Sequence, residues 1–396
     1  MRRLIFISML SVVLIACRQE DSTIPFSTKG ASAESVYLTR DQNDNPVAVW
    51  TERKGEDLTL LFAVSNDGGK SFGDKISLPL TSDVATHSEG MPKVAFKKDG
   101  TIIAAYEKKA PTEANKYAGA IYYRVSRDNG NSWLPEKFLH SDTVAGRSRS
   151  YFDIERLSNG EIGAAWLDVK LDKETGGRSI RFAGTEGSIN FGNEILVDSS
   201  ACQCCRLDVY SDLTGRVNVA YRGLMKGIMG NSIRDMMLST SADNGKTFTR
   251  PSRISSDNWS IDGCPHTGPS LCSSKGGLYS LWYTEGNGTG IYFSFKKNGE
   301  SDFQQRGLVS NAGRHPQLSA NDERFVMVWE EISGDDSQKF TNIFYQVTSD
   351  IDVKRECLTP KSVNAFSPVV TTTKDGFLIA YLMETKNGVE MHIKKI

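Results

Sequence analysis

Six cysteines follow Cys17, and four of them crowd into two short segments, ACQCCR at 201–206 and DGCPHTG at 262–268. Cys202, Cys204, Cys205 and Cys264, with the imidazole of His266, form a donor set suited to Zn²⁺ or Cu⁺, because soft thiolate sulfur matches those ions. Met225 and Met229 lie between the segments, and their thioethers favour copper. Disulfides are the competing chemistry, open to a protein that leaves the cytoplasm. Adjacent Cys204 and Cys205 suit each other poorly, since consecutive Cα atoms stand about 3.8 Å apart against about 5.5–6 Å in a disulfide. One of them can still pair with Cys264, and free thiols are the third option. Cys272 and Cys357 read as buried or paired. A second group of charged residues, Arg149, Arg206, Arg314 and His315, is fit to bind an anionic ligand or to fill a polar channel with salt bridges.

Whether these residues meet depends on the elements that carry them, and here the chain repeats itself. Each unit has a short strand, a turn rich in Asp, Asn or Gly, and an apolar strand ending in an aromatic, as in MPKVAFKKDGTIIAAY and FSPVVTTTKDGFLIAY. The closing aromatics Trp50, Tyr106, Trp166, Tyr221, Trp282, Trp329 and Tyr381 are spaced by 47 to 61 residues, which makes seven units. A third apolar strand follows in each, as at 121–125, 236–239, 291–295 and 343–347, and no amphipathic helical stretch competes with them.

Three of the third strands run into SNDGGKSF (65–72), SRDNGNSW (126–133) and SADNGKTF (241–248). These resemble the Asp box of bacterial neuraminidase repeats, S-x-D-x-G-x-[ST]-[FW]. An Asp carboxylate there accepts backbone N–H groups, Gly supplies the permissive backbone angle, and the aromatic packs inward. Residues 35–396 are therefore similar to the sialidase-like Asp-box β-propellers. The resemblance implies an all-β propeller of four-stranded antiparallel blades whose first strands line a central channel. Sialidases of this kind have six blades, whereas seven units are counted here. The seventh ends after three strands, so a segment near 24–28 is expected to supply its outer strand and close the ring.

In such a meander the first strand of each blade begins, and the second ends, on one face; the Asp boxes fall on the other. Reading only those positions gathers His87, Glu89, Arg147, Arg149, the ACQCCR segment, Asp262, Cys264, His266, Arg314 and His315 ahead of first strands. Glu52, Glu107, Asp168, Arg222, Glu285 and Glu330 follow second strands. The resemblance also implies a sialidase constellation: three arginines on a substrate carboxylate, which Arg149, Arg206 and Arg314 would supply, a Tyr–Glu nucleophile and an acid–base Asp. The Arg-Ile-Pro signature of that family is missing before the first Asp box, and Tyr283 and Glu285 are close in sequence without matching its nucleophile motif. His140 and His392 stand alone and read as hydrogen-bonded structural residues.

The first residues read as an address. Arg2 and Arg3 precede an apolar run, Leu4 to Ala16, that is too short to span a bilayer and meets Cys17. Leu14, Ile15, Ala16 and Cys17 resemble a bacterial lipobox, which implies residues 1–17 as a signal peptide and a lipidated Cys17. Residues 18–34 then form a polar linker with the ring-closing strand, and the protein is an exported, membrane-anchored lipoprotein, periplasmic or on the cell surface. A formal net charge of −1 with no basic block excludes nucleic acid as a natural partner and leaves the lipid as the only membrane contact. Three functions follow: a protein that binds a small-molecule, glycan or metal ligand at the channel mouth, with Cu or Zn at the cysteines; a glycoside hydrolase acting on sialic acid or another acidic sugar; or a scaffold that offers the same face to another protein.

Overall fold

The structure, a computed structural model, describes residues 24–396 apart from 322–323, 336 and 349–352; Cys17 lies outside the described residues. Every regular element among them is a β-strand, and they form a seven-bladed propeller. The first strands of the blades are Ser32–Arg40, Lys93–Phe96, Ser150–Arg156, Asp208–Ser211, Ser270–Ser274, Arg314–Ala320 and Ala365–Thr372. Each is the inner edge of a four-stranded antiparallel sheet. Neighbouring first strands pack side by side, and that of blade 7 packs on that of blade 1, so the ring is closed.

The closing strand comes from the other end of the chain. Ile24 pairs with Ile393 and Pro25 with His392, making Ile24–Pro25 the outer strand of blade 7. Phe26 then lies edge-on to Trp50 and Phe72 of blade 1, at 5.5 and 4.8 Å between ring centroids, and the Thr28 N–H donates to Glu52 at 2.8 Å. The segment thus ties blade 7 to blade 1. Between its second and third strands blade 4 carries an extra hairpin, Met225–Lys226 with Ser232–Ile233, on the mouth face.

The apolar core is divided into seven clusters, one at each contact between successive blades. All seven closing aromatics are buried in them, and burial of each such side chain contributes about 1.5–3 kcal/mol. The tryptophans carry an N–H into this apolar setting, where an unpaired donor costs roughly 1–3 kcal/mol. Each finds a carboxylate: Trp50 on Glu52 (2.8 Å), Trp166 on Asp168 (2.8 Å), Trp282 on Asp257 (2.7 Å) and Trp329 on Glu331 (2.7 Å). Two of the mouth carboxylates singled out by position, Glu52 and Asp168, are therefore occupied by the core repeat.

The three turns that resemble Asp boxes share one geometry. Asp67 accepts the N–H groups of Lys70 and Ser71 and the hydroxyls of Ser65 and Ser71; Asp128 likewise accepts the Ser132 N–H and the hydroxyls of Ser126 and Ser132, and Asp243 the Thr247 N–H and the hydroxyls of Ser241 and Thr247. Their glycines sit at φ of 89°, 85° and 88° for Gly69, Gly130 and Gly245, angles that disfavour any other residue. A Cβ there would also strike the preceding blade, at Leu378, Ile76 and Phe182 respectively. The boxes are thus blade-to-blade spacers on the face opposite the mouth.

Candidate functional site

Cys202 follows the outer strand of blade 3 (Ile195–Ala201), where its N–H donates to the Arg222 carbonyl at 2.8 Å. Two residues on, Cys204, Cys205 and Arg206 lead into the first strand of blade 4. Arg206 fixes this segment from inside the channel: its N–H and guanidinium both donate to Glu89 (3.0 and 2.6 Å), and a second guanidinium N–H reaches the Pro316 carbonyl at 2.9 Å. One side chain of blade 4 thereby spans the mouth to blades 2 and 6.

The DGCPHTG segment descends beside it into blade 5. Gly268 allows the approach, because a Cβ at that position would stand 2.2 Å from the Arg206 carbonyl oxygen. Arg222 holds the segment from the other side. Its guanidinium lies over Trp259, 4.7 Å from the ring centroid, and donates to the carbonyls of Thr267, Arg234 and Tyr283. A buried cation whose donors are spent on carbonyls makes a rigid joint.

These contacts bring all five soft donors together. The Cys202 sulfur is 3.4 Å from that of Cys205 and 3.9 Å from that of Cys204, and all three thiols are buried. Cys204, Cys264 and His266 form a second group whose ligand atoms lie within 4.8 Å of one another, with Cys264 and His266 exposed. Cys204 belongs to both groups. The six cysteines among the described residues are all unpaired. Arg234 donates to the Cys202 sulfur at 3.0 Å. Hydrogen bonds from Cys204 and Cys205, with this guanidinium, hold the Cys202 thiol well below its usual range. Burial pushes Cys205 the other way. Tyr151 packs against the sulfurs in a left-handed conformation (φ 54°), held by an N–H donated to Glu107 at 3.1 Å. Burial raises that carboxyl to about 7.

The three arginines have different partners. Arg149 is buried between Asp142 (2.7 Å) and Asp168 (3.3 Å), and Arg206 is committed to Glu89. Arg314 is exposed and stacks over Tyr283, 4.1 Å from the ring centroid and 4.0 Å from Glu285, while the Tyr283 hydroxyl donates to Glu285. His315 bonds Glu330 at 2.8 Å; burial opposes its charge, but this carboxylate outweighs burial and raises its pKa. Polar pairing of the channel, the alternative reading of these arginines, describes Arg149 and Arg206.

Position-reading missed Arg234 and Arg178. Arg178 opens the third strand of blade 3 and grips four oxygens of its neighbours, and Arg234 precedes the third strand of blade 4. Third strands begin on the mouth face too, and that rule finds both. His140 is satisfied as expected, accepting the Ile121 N–H at 3.2 Å. His392 makes no hydrogen bond through its buried ring nitrogens; its ring stacks on Tyr381, and its Nε2 stands 3.7 Å from Glu390. At the far end of the channel a cavity of about 980 Å³ opens on the Asp-box face, lined by Tyr37, Glu155, Asp208, Tyr210, Gln317 and Thr371 among others.

No protein-family model matches the chain, and no curated protein matches it in sequence. Solved structures do match in shape. The polysaccharide lyase Uly1 is similar over 96% of this chain and 93% of its own, with a TM-score of 0.56 at 9% identity. A PL25 ulvan lyase bound to -[GlcA(1-4)Rha3S]- aligns over 94% and 96%, with a TM-score of 0.57 at 10% identity. The NanB sialidase of Streptococcus pneumoniae aligns over 95% of this chain and 70% of its own, with a TM-score of 0.50 at 9% identity. At such identities the likeness is one of fold: the chain shares the β-propeller of sialidases and polysaccharide lyases.

Proposed function

We propose that the protein binds a thiophilic ion, Cu⁺ before Zn²⁺, in the cysteine–histidine cluster at the channel mouth, and that it does so as an exported lipoprotein. The observation that carries this reading is the convergence of five soft donors from two blades, with Arg234 placed on one sulfur. Thiolate sulfur selects Cu⁺ and Zn²⁺ over harder ions, and Zn²⁺ favours a fourth, tetrahedral donor that neither group of three contains. Binding releases the thiol protons, so the buried sulfurs become anions matched by the ion and by Arg234.

An acidic-sugar ligand draws support from one group, the exposed Arg314 over Tyr283 and Glu285. One set of titrations separates the two readings. Protein purified anaerobically under reducing conditions is expected to take up Cu⁺, and Cys205→Ala and His266→Ala each to weaken uptake by more than about tenfold, while Arg314→Ala leaves it intact. Unchanged affinity in both cluster variants, no uptake at all, or a native protein whose Cys202 is locked in a disulfide would overturn the metal reading.

A further inference from the structure

The two donor groups share an atom. Cys202, Cys204 and Cys205 form a buried triangle, Cys204, Cys264 and His266 an outer one, and the Cys204 sulfur is a corner of each. We infer that the site holds a pair of Cu⁺ ions bridged by the Cys204 thiolate, one ion buried and one at the surface; this rests on the copper-binding reading above.

The dimensions fit. A trigonal ion with metal–sulfur bonds near 2.3 Å needs sulfurs about 4.0 Å apart, and the Cys202 sulfur stands 3.4 and 3.9 Å from its partners. A single ion cannot use all five donors without drawing the exposed Cys264 and His266 into the buried triangle, against the joint that Gly268 and Arg222 make. A thiolate keeps lone pairs after binding one soft ion and can bridge to a second.

Charge points to the same pair. Four thiolates and two Cu⁺ leave two negative charges, and the buried Arg234 guanidinium stands on the Cys202 sulfur at 3.0 Å. Two Zn²⁺ would neutralise the thiolates outright and leave the buried Arg234 without an anion, a costly arrangement at low dielectric. Exposure orders the ions in sequence as well. An incoming ion meets Cys264 and His266 first, exchanges through Cys204, and ends under Tyr151 between Cys202 and Cys205.

The test is copper stoichiometry and X-ray absorption on the full-length protein loaded with Cu⁺ anaerobically. The wild type is expected to bind two ions per chain with a copper–copper scattering shell. Cys264→Ser and Cys202→Ser are each expected to bind one ion, with that shell gone. Cys264 is exposed, so its variant should fold, and an unchanged thermal melt of the copper-free protein checks this. One ion in the wild type, or two without a copper–copper shell, would overturn the bridged pair and leave copper binding standing. No copper in the wild type would remove both.

Discussion

At the scale of single residues, most charge at the mouth is spent on holding blades together. Arg206 on Glu89 and Lys93 on Asp153 are buried pairs, 2.6 and 2.7 Å long; the first ties the approach to blade 4 to that of blade 2, the second the first strand of blade 2 to that of blade 3. Removing one partner of such a pair leaves a charge stranded, at a cost of about 3–5 kcal/mol. Glu155 stands apart: among the described residues it forms no ion pair, and burial, followed by the Asp153 charge, raises its carboxyl from 4.5 to about 8. An acid raised in the folded state binds its proton more tightly there than when unfolded. Its penalty is therefore absent below pH 4.5, grows as pH rises through about 8, and is complete above that. Glu155→Gln is expected to leave stability near pH 4.5 unchanged and to raise it by roughly 2 kcal/mol at pH 9, read as a difference between variant and wild-type denaturation curves. An equal difference at both pH values would mean that the carboxyl titrates normally.

At the scale of elements, the cluster depends on how closely two loops pass. Gly268 is the contact point, and Gly263 in the same loop is open, with the nearest atom 3.8 Å from a built Cβ. Gly268→Ala is expected to cost about 2 kcal/mol through overpacking and to part Cys264 and His266 from Cys204, lowering Cu⁺ uptake although every donor remains. Gly263→Ala should do neither. Equal effects of the two substitutions on melting and uptake would show that the approach of the loops is not what builds the site. The Asp boxes act at this scale too, but on the far face, where their turns brace one blade on the next.

At the scale of the whole molecule, the chain enters the ring at Ile24 on the Asp-box side, because this outer strand runs antiparallel to Gly388–Lys395, which starts at the mouth. A lipid on Cys17 would be joined to Ile24 through six intervening residues, a reach of at most about 25 Å. The cysteine mouth would then face away from the bilayer, open to soluble donors or acceptors of metal. Cys17→Ala is expected to move the protein from the membrane to the soluble fraction. Continued sedimentation with membranes after signal removal would rule the anchor out.

Blade count, strand order and the face of the Asp boxes were legible in the chain because they rest on local chemistry repeated seven times: an alternating strand, a turn residue, a closing aromatic. The donors Cys202, Cys204, Cys205, Cys264 and His266 were legible from the same repeat, which places the ends of first strands on one rim. What the repeat does not encode is pairing between blades. Arg149, Arg206 and Arg314 share one rim position, yet Asp142 and Asp168 hold the first and Glu89 the second, while Arg314 lies exposed over Tyr283 near Glu285, since partners up to 117 residues away decide how each guanidinium is paired. That Cys204 belongs to two donor groups is likewise a tertiary fact, set where the Gly268 backbone meets that of Arg206, since spacing along a chain orders donors but does not measure the distance between loops of different blades.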